Sequence, residues 1–340
     1  MKFSKKKHQL HKTCKTMTRK TKLIILTVLL VSFISNSQNI YKSSIDAGGA
    51  SASVGDIQVF YTIGEVNVQE LNSGNIQASE GFVGPAFKIK IDPKLYLQGA
   101  MQNPLVAGQM NDHLRSNGFV PTVSPYSDGK TCDASVFNIT GANAIVDWVW
   151  VELRAANDNT KLINGRSALL QRDGDVVDLD GVSNLIMTAA PTNYFVVMDH
   201  RNHLGAMSAN SIGLSEAIAT LVDFGNIGFQ TFGSNAQVTL GSGNTALWAG
   251  DVNNNGQIRY LGPGNDTNTI KDTVLGDSGN TTSSNFYPFS GYNNADINMN
   301  GQIRYLGPGN DTNVLKDIIL SHPSNGTFSN FFPFVSQIPN

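Results

Sequence analysis

The sequence predicts a mainly β protein, in which a β-sandwich lies between a small N-terminal β unit and a C-terminal pair of loops with short helices. Short apolar runs separated by Gly, Asn, Asp and Pro recur along the chain, which is typical of strands joined by turns. Glycine is abundant, with 33 of 340 residues, and only 15% of residues are charged. Long apolar patterns at helical spacing are scarce, so we expect helices only as short segments.

The N-terminus has the order of a secretory signal peptide. Residues 1–22 hold nine Lys or Arg and no acidic residue, and an apolar run at 23–34 follows directly. Small polar residues come next, so we expect residues 1–37 to be a signal peptide that is cleaved near Ser37. The alternative is an uncleaved anchor, although the run is shorter than the ~20 residues of an ordinary membrane span. We therefore expect a secreted or outer-surface protein with no membrane span after cleavage.

Cleavage would make the protein acidic. The whole chain has 24 basic and 26 acidic residues, and loss of nine basic residues leaves 15 against 26, a net charge of −11. This argues against nucleic acid as a partner, because Lys and Arg supply most of the affinity for phosphates. Cys132 would be the one cysteine left, so it is either a half-buried small residue or a reactive thiol.

Turn signals and composition divide the chain after residue 37 into four parts. We expect the N-terminal β unit at 38–92, the β-sandwich at 93–212, a connector at 213–249 and a repeat-bearing segment at 250–340.

Particular segments carry the strand predictions. Residues 145–153 are apolar on both faces, which indicates a central strand. Asp173-Gly174 lies between two apolar runs and predicts a hairpin turn. Residues 194–198 predict the next strand, and in the connector residues 214–221 are expected to form two helical turns.

A 45-residue internal repeat is the clearest feature of the sequence. Residues 256–268 (GQIRYLGPGNDTN) recur without change at 301–313. The flanking residues also align, with D-V-N-N-N before the first copy and D-I-N-M-N before the second. The aromatic segment 328–334 follows the second copy, and we expect it to pack back on the repeats, as 286–289 would after the first copy.

Each repeat opens with D-x-N-x-N-G-x-I, the pattern of a calcium-binding loop. Calcium takes six to eight oxygen ligands from a tightly turning chain, with side-chain oxygens from positions 1, 3 and 5, glycine at position 6 and a carbonyl from position 7. An acidic residue is expected at position 12, but Gly262 and Gly307 stand there, and an aspartate follows four residues later. We interpret the intervening residues as an insertion that delays the closing carboxylate. The predicted ligands are Asp251, Asn253, Asn255, the Gln257 carbonyl and Asp266 in the first loop, and Asp296, Asn298, Asn300, the Gln302 carbonyl and Asp311 in the second.

With two carboxylates per loop, the predicted affinity is in the extracellular range, on the order of 10⁻⁵ to 10⁻³ M. An Asn- and Gly-rich turn without an ion is the alternative. A short helix is expected after each loop, with Thr267 or Asn268 near the start of the first.

The loop pair resembles the tandem repeats of type I dockerins, and this resemblance implies calcium as the bound ion and a docking role. The helix residues differ from those that a cohesin contacts. Upstream, the segments Y-T-I-G-E-V and S-E-G-F resemble the N-terminal part of Gram-negative surface proteins that use type IX secretion. A module of such proteins also resembles the series Leu97-Gln98-Gly99, Asp147-Trp148-Val149 and His200-Arg201-Asn202-His203, which spans about 110 residues here.

Other chemical motifs are weaker. His200 and His203 beside Asp199 could hold zinc, but a structural loop is the alternative; the aspartates at 173–180 could hold calcium or form a solvated hairpin. No nucleophile elbow, zinc-protease motif or phosphate loop is present, so we expect no enzyme.

The sequence thus predicts a non-catalytic calcium-binding structural or adhesion protein whose partner is an unknown surface protein or a polysaccharide. The alternative is a carbohydrate-binding or scaffold component of an extracellular polysaccharide-degrading assembly, with the repeat pair as its docking module.

Overall fold

The computed structural model describes residues 48–54, 57–63, 69–73, 76–80 and 87–339. The predicted signal peptide lies outside the described residues. The chain divides into two compact units between residues 85 and 86.

The first unit contains two antiparallel strand pairs. Strand β1 (Gly48–Val54) pairs with β2 (Ile57–Ile63), and β3 (Gln69–Ser73) pairs with β4 (Ile76–Glu80). Strands are therefore present in the segment that the sequence predicts as a β unit.

The second unit begins with a two-sheet body, which we define as residues 87–249. Its strands are β5 (Ile89–Lys94), β6 (Ile145–Ala155), β7 (Asp158–Gln171), β8 (Val176–Val177), β9 (Leu185–Met187), β10 (Thr192–His200), β11 (His203–Met207), β12 (Ile212–Leu214), β13 (Thr220–Asp223), β14 (Gln237–Thr239) and β15 (Thr245–Leu247). One helical turn, α1 (His113–Ser116), and 3-10 helices at Ala134–Asn138 and Gly141–Asn143 lie between β5 and β6.

Strand β6 is central, as the sequence predicts. The larger of the two main sheets has the order β11-β10-β6-β7-β8, with β12 also paired to β10, and the smaller has the order β13-β5-β9; β14 and β15 form a separate antiparallel pair. Trp148 and Val149 on opposite faces of β6 are fully buried, and both sheets contribute to one core. The hairpin turn at Asp173-Gly174 joins β7 to β8, and residues 194–198 lie in β10. The mainly β class is confirmed.

The helix expected at 214–221 is wrong. β12 ends at Leu214, and β13 begins at Thr220 and runs parallel to β5. Leu214 and Val222 are buried in the core of the body, whereas Ile218 is exposed, so no single helical face could have been buried here. Strand pairing with the body thus prevails over a weak helical pattern.

The repeat region, defined as residues 250–339, has its own core and follows one plan twice. Its elements are β16 (Gln257–Arg259), α2 (Asp266–Gly276), β17 (Phe289–Ser290), β18 (Gln302–Ile303), α3 (Asp311–Ser321) and β19 (Pro333–Val335). The N-cap of the first helix is Asn265, two or three residues before the expected cap at Thr267 or Asn268, and Asn310 is the equivalent cap of the second. Their side chains accept from Asn268 N and Asn313 N, which starts the helices at Asp266 and Asp311.

The two repeats complete each other. β17, which follows the first helix, pairs with β18 of the second repeat, whereas β19, at the end of the chain, pairs with β16 of the first. The aromatic tail packs back on the repeats through Phe332 and Phe334, whereas Phe328 and Phe331 are exposed, so this prediction is confirmed only in part.

Among the residues with a described structure, none belongs to a helix that is both long enough and apolar enough to cross a membrane.

Truncation of a core leucine tests the central position of β6. Leu153 is 0% exposed in β6, so Leu153→Ala should lower the free energy of unfolding by about 2–5 kcal/mol in urea titrations. Leu162→Ala on neighbouring β7, where the side chain is 52% exposed, is the matched control and should change it by less than about 1 kcal/mol. Equal effects would contradict the assigned core.

Candidate functional site

The first loop, residues 251–266, winds around the carboxylate of Asp251. Asp251 Oδ1 accepts a hydrogen bond from Asn255 N at 2.9 Å, and Oδ2 accepts from Gly256 N at 2.9 Å. Asn254 and Gly256 adopt left-handed backbone conformations, with φ of 54° and 73°. Asn and Gly tolerate this conformation better than other residues, so Asn254 and Gly256 favour this tight turn.

The delayed carboxylate returns to the same loop. Asp266 is the first residue of α2 and is buried. Its Oδ1 accepts from Val252 N at 2.9 Å and its Oδ2 from Arg259 N at 2.8 Å. The insertion therefore carries Asp266 back across the loop, as the sequence predicts, and brings two buried carboxylates to one turn of chain.

The second loop, residues 296–311, repeats this geometry. Asp296 accepts from Asn300 N at 3.0 Å and Gly301 N at 2.8 Å. Asp311 accepts from Ile297 N and Arg304 N, each at 2.9 Å. Identical segments thus fold to the same contacts in two different surroundings.

The asparagines of the loops turn their side-chain oxygens toward the loop backbone. Asn253 Oδ1 accepts from Asn255 N at 3.1 Å, and Asn255 Oδ1 accepts from Gln257 N at 2.9 Å. The equivalent bonds in the second loop join Asn298 to Asn300 N at 3.1 Å and Asn300 to Gln302 N at 2.7 Å. An amide oxygen has two lone pairs, so each retains acceptor capacity for a cation.

The carbonyls at loop position 7 point away from the strand that pairs with each loop. Ser336 N donates to Gly256 O at 2.8 Å where β19 pairs with β16. Hydrogen-bonded positions alternate along an antiparallel pair, so the carbonyl of the next residue, Gln257, points away from β19. Gly291 N donates to Gly301 O at 3.1 Å, and the same reasoning holds for Gln302.

The loop carboxylates are buried, and the charge of Arg201 only partly offsets the effect of burial on the pKa of Asp296. Burial raises the pKa of Asp251 to about 6, and burial together with the charge of Asp251 raises that of Asp266 to about 7. Burial also raises the pKa of Asp296 to about 6, and burial together with the charge of Asp296 raises that of Asp311 well above its usual range. Within the described part of the chain, no Lys or Arg forms an ion pair with these four groups.

The donor set fits a hard divalent cation. Two buried carboxylates, two amide oxygens and one carbonyl in each loop are the ligand types that calcium takes, whereas zinc and copper prefer nitrogen or sulfur. Residues 87–339 and the described N-terminal strands contain no group of three or more His, Cys, Asp or Glu that could hold a metal ion. Most of the candidate ligands here are amide and backbone oxygens.

The paired histidines support the structural alternative over zinc. His200 Nδ1 lies 2.9 Å from His203 Nδ1, and His200 Nε2 lies 3.3 Å from Asp147 Oδ2. His203 Nε2 accepts from Gly99 N at 3.2 Å. All four ring nitrogens thus contact protein atoms, and burial lowers the pKa of both imidazoles.

The aspartate-rich hairpin also has protein partners. Asp178 forms a bidentate pair with Arg166, and Asp175 pairs with Lys94. Asp180 accepts from Ser183 N at 2.9 Å and from Ser183 Oγ. These contacts favour the solvated hairpin over a further calcium site.

Sequence reasoning missed a contact between the body and the second loop. Asn202 Nδ2 donates to the backbone oxygen of Asp296 at 2.9 Å, so a residue 94 positions away fixes the first predicted ligand of that loop. The sequence signal that could have indicated this contact was the difference at loop position 4, where the first loop has Asn254 and the second has the apolar Met299.

Comparison with known proteins found no matching family model, no matching curated protein and no matching solved structure. The dockerin and type IX resemblances therefore depend on the motifs quoted above.

Acidification should weaken cation binding at the loops. Asp251, Asp266 and Asp296, with pKa values of about 6 to 7, must lose protons before they bind a cation, and so must Asp311, whose pKa is also raised. Calcium affinity should therefore fall by more than ~10-fold between about pH 7.5 and about pH 5.5, whereas carboxylates with the ordinary pKa near 4 would barely change over this range.

Calorimetry in two buffers of different ionisation enthalpy measures this prediction, because bound calcium should release protons near pH 6.5. Affinity is the appropriate measurement, because acidification changes the free energy of unfolding in two opposite ways. Proton uptake by the loop carboxylates, with raised pKa values, favours the folded state, whereas proton uptake by the buried histidines, with lowered pKa values, disfavours it. Binding without proton release would contradict the raised pKa values.

Proposed function

We propose that this chain is a non-catalytic, exported calcium-binding protein of structural or adhesive function, with one ion in each loop of the repeat region. The observation that carries the proposal is the pair of buried carboxylates in each loop, none of which forms an ion pair with a Lys or Arg of the described residues. The ligands are the ten residues predicted from the sequence. The dockerin-like form of the repeats and the β-sandwich nature of the body are part of the same proposal.

The ion would supply the charge that each loop lacks. Two carboxylates at close range disfavour each other's ionised form, and a divalent cation between them converts this repulsion into attraction. Because the ligands come from both ends of a loop, the ion would also fix the start of the helix to the turn before it. Binding to the folded state alone stabilises that state by mass action.

The predicted compartment supports this assignment. The basic and apolar N-terminal segments are typical of a signal peptide, and the remainder would be acidic. Sites with an affinity on the order of 10⁻⁵ to 10⁻³ M are filled outside cells, where extracellular modules work in this range.

One cavity keeps the carbohydrate-binding alternative open. The lining of a cavity of about 250 Å³ includes the rings of Trp248, His322, Phe332 and Phe334 and polar residues such as Asn235 and Gln337. Aromatic rings with amide and hydroxyl groups suit a neutral sugar. A glycan array with and without calcium distinguishes this alternative from a purely structural function.

Calorimetric titration of the full chain tests the calcium sites. The wild type should bind two calcium ions, and a double variant, Asp251→Ala with Asp296→Ala, should bind none with an affinity better than about 10⁻² M, because each loop loses one of its two carboxylates. The full chain is needed, because the second loop contacts the body.

The repeat offers a matched control. Asp272 and Asp317 occupy equivalent exposed positions on α2 and α3, so Asp272→Ala with Asp317→Ala removes the same charge outside the loops. This control should retain both sites. No binding heat from the folded wild type at several temperatures would contradict the proposed function.

A further inference from the structure

The two loops have the same predicted ligands but different surroundings. At position 4, Asn254 is exposed, whereas Met299 is 1% exposed and belongs to the core of the two-sheet body. Both residues have left-handed backbone conformations, with φ of 54° and 55°. Methionine disfavours this conformation more than asparagine does, so burial of the Met299 side chain offsets a local conformational cost.

The backbone of the second loop lies directly on the body. A Cβ atom at Gly99 would lie 2.1 Å from Ile297 O, so only glycine permits this approach. Farther along the loop, a Cβ atom at Gly301 would lie 3.0 Å from the ring of Phe119, near α1. The second loop therefore contacts two segments of the body.

Polar contacts fasten the chain just before this loop. Asn202 donates to the backbone oxygens of Asn294 and Asp296, each at 2.9 Å, and Arg201 Nη1 donates to Asn293 O at 2.6 Å. The fully buried Asp147 holds Arg201 at 3.0 Å.

The Tyr292 hydroxyl also donates to Asp147, at 2.6 Å. Breaking this network would leave a charged group buried without a partner, which is costly, so the contact resists opening.

The first loop is open on its outer side. Asn254 is exposed where the second loop has the buried Met299, although Asn255 and its equivalent Asn300 are exposed alike. The first loop also borders a cavity of about 440 Å³ lined by Asn255, Gly256, Gln257, Val335, Ser336 and Ile338. The segment across this cavity is the C-terminal tail, which pairs with the loop through the short strand β19.

We propose that the two calcium sites have different functions: the second loop holds a structural ion that joins the repeat region to the two-sheet body, and the first loop holds an exchangeable ion that follows the calcium concentration. This inference rests on the proposed calcium binding. Release from the second loop requires its detachment from the body, whereas release from the first requires at most local opening beside the tail. Ion binding at the second loop therefore stabilises the body, and ion binding at the first does not.

Single variants in the full chain test this division, because the two loops provide matched positions. Asp251→Asn and Asp296→Asn remove the same carboxylate with the same pair of backbone contacts. The measurement is the calcium-induced rise in the unfolding temperature of the body, followed by hydrogen exchange of peptides from β6. The rise should persist in Asp251→Asn and should be lost in Asp296→Asn, a difference of roughly 4–10 °C.

Calcium release after mixing with a fluorescent chelator provides the second measurement. The wild type should show two phases, with the slow phase at least ~10-fold slower because it requires local opening. Asp251→Asn should lose the fast phase, and Asp296→Asn the slow one.

Met299→Asn removes the contact of the second loop with the body but none of the calcium ligands, and it replaces Asp296→Asn if that variant does not fold. It keeps every ligand and gives the second loop the residue of the first, so the slow phase should accelerate at least ~10-fold. Asn254→Met is its control and should leave both phases unchanged. The inference would be overturned if the wild type released both ions at the same rate, or if both aspartate variants lost the calcium-induced stabilisation of the body equally. Either result would leave calcium binding itself intact. A wild type that binds no calcium would instead overturn the proposed function.

Discussion

The repeat region depends on buried aspartates that receive backbone N–H groups of their own loop. Each loop turns around one aspartate and is crossed by a second, and the hydrogen bonds fix both carboxylates where water cannot easily reach them. The hydrogen bonds fix the positions of the carboxylates but do not neutralise their charge, and each charge disfavours ionisation of the other group in its loop. A bound cation resolves this conflict, and proton uptake is the other way to resolve it.

The repeats surround these loops with a reciprocal arrangement. The strand after each helix pairs with the loop strand of the other repeat, so neither loop is complete without the partner repeat. This explains why the signal occurs as two copies and why the aromatic residues after each helix are repeated. The body breaks the symmetry through Gly99 and Met299, which bring it against the second loop, whereas Asn202 contacts the second loop and also accepts from Gly250 N just before the first.

Local patterns predicted much of this structure, and long-range contacts account for the rest. The apolar run at 145–153, the Asp-Gly hairpin and the repeat itself carry their information within a few residues, so the central strand, the turn and the paired loops were predictable. The helix expected at 214–221 failed because parallel pairing of β13 with β5 joins segments about 130 residues apart. Asn202 and Gly99 meet the second loop for reasons that no local pattern contains, and only Met299, at a position where the first repeat has Asn254, indicated the difference.

The central claim is that each loop coordinates calcium through the residues of the repeat. A crystal structure of the full chain grown in calcium, with anomalous diffraction data, tests it most directly. The account predicts one anomalous peak in each loop, with oxygens of Asp251 and Asp266, or of Asp296 and Asp311, at about 2.3–2.6 Å. Loops of the same shape with no anomalous peak at a calcium concentration of roughly 10 mM, well above the extracellular affinity range, would contradict it.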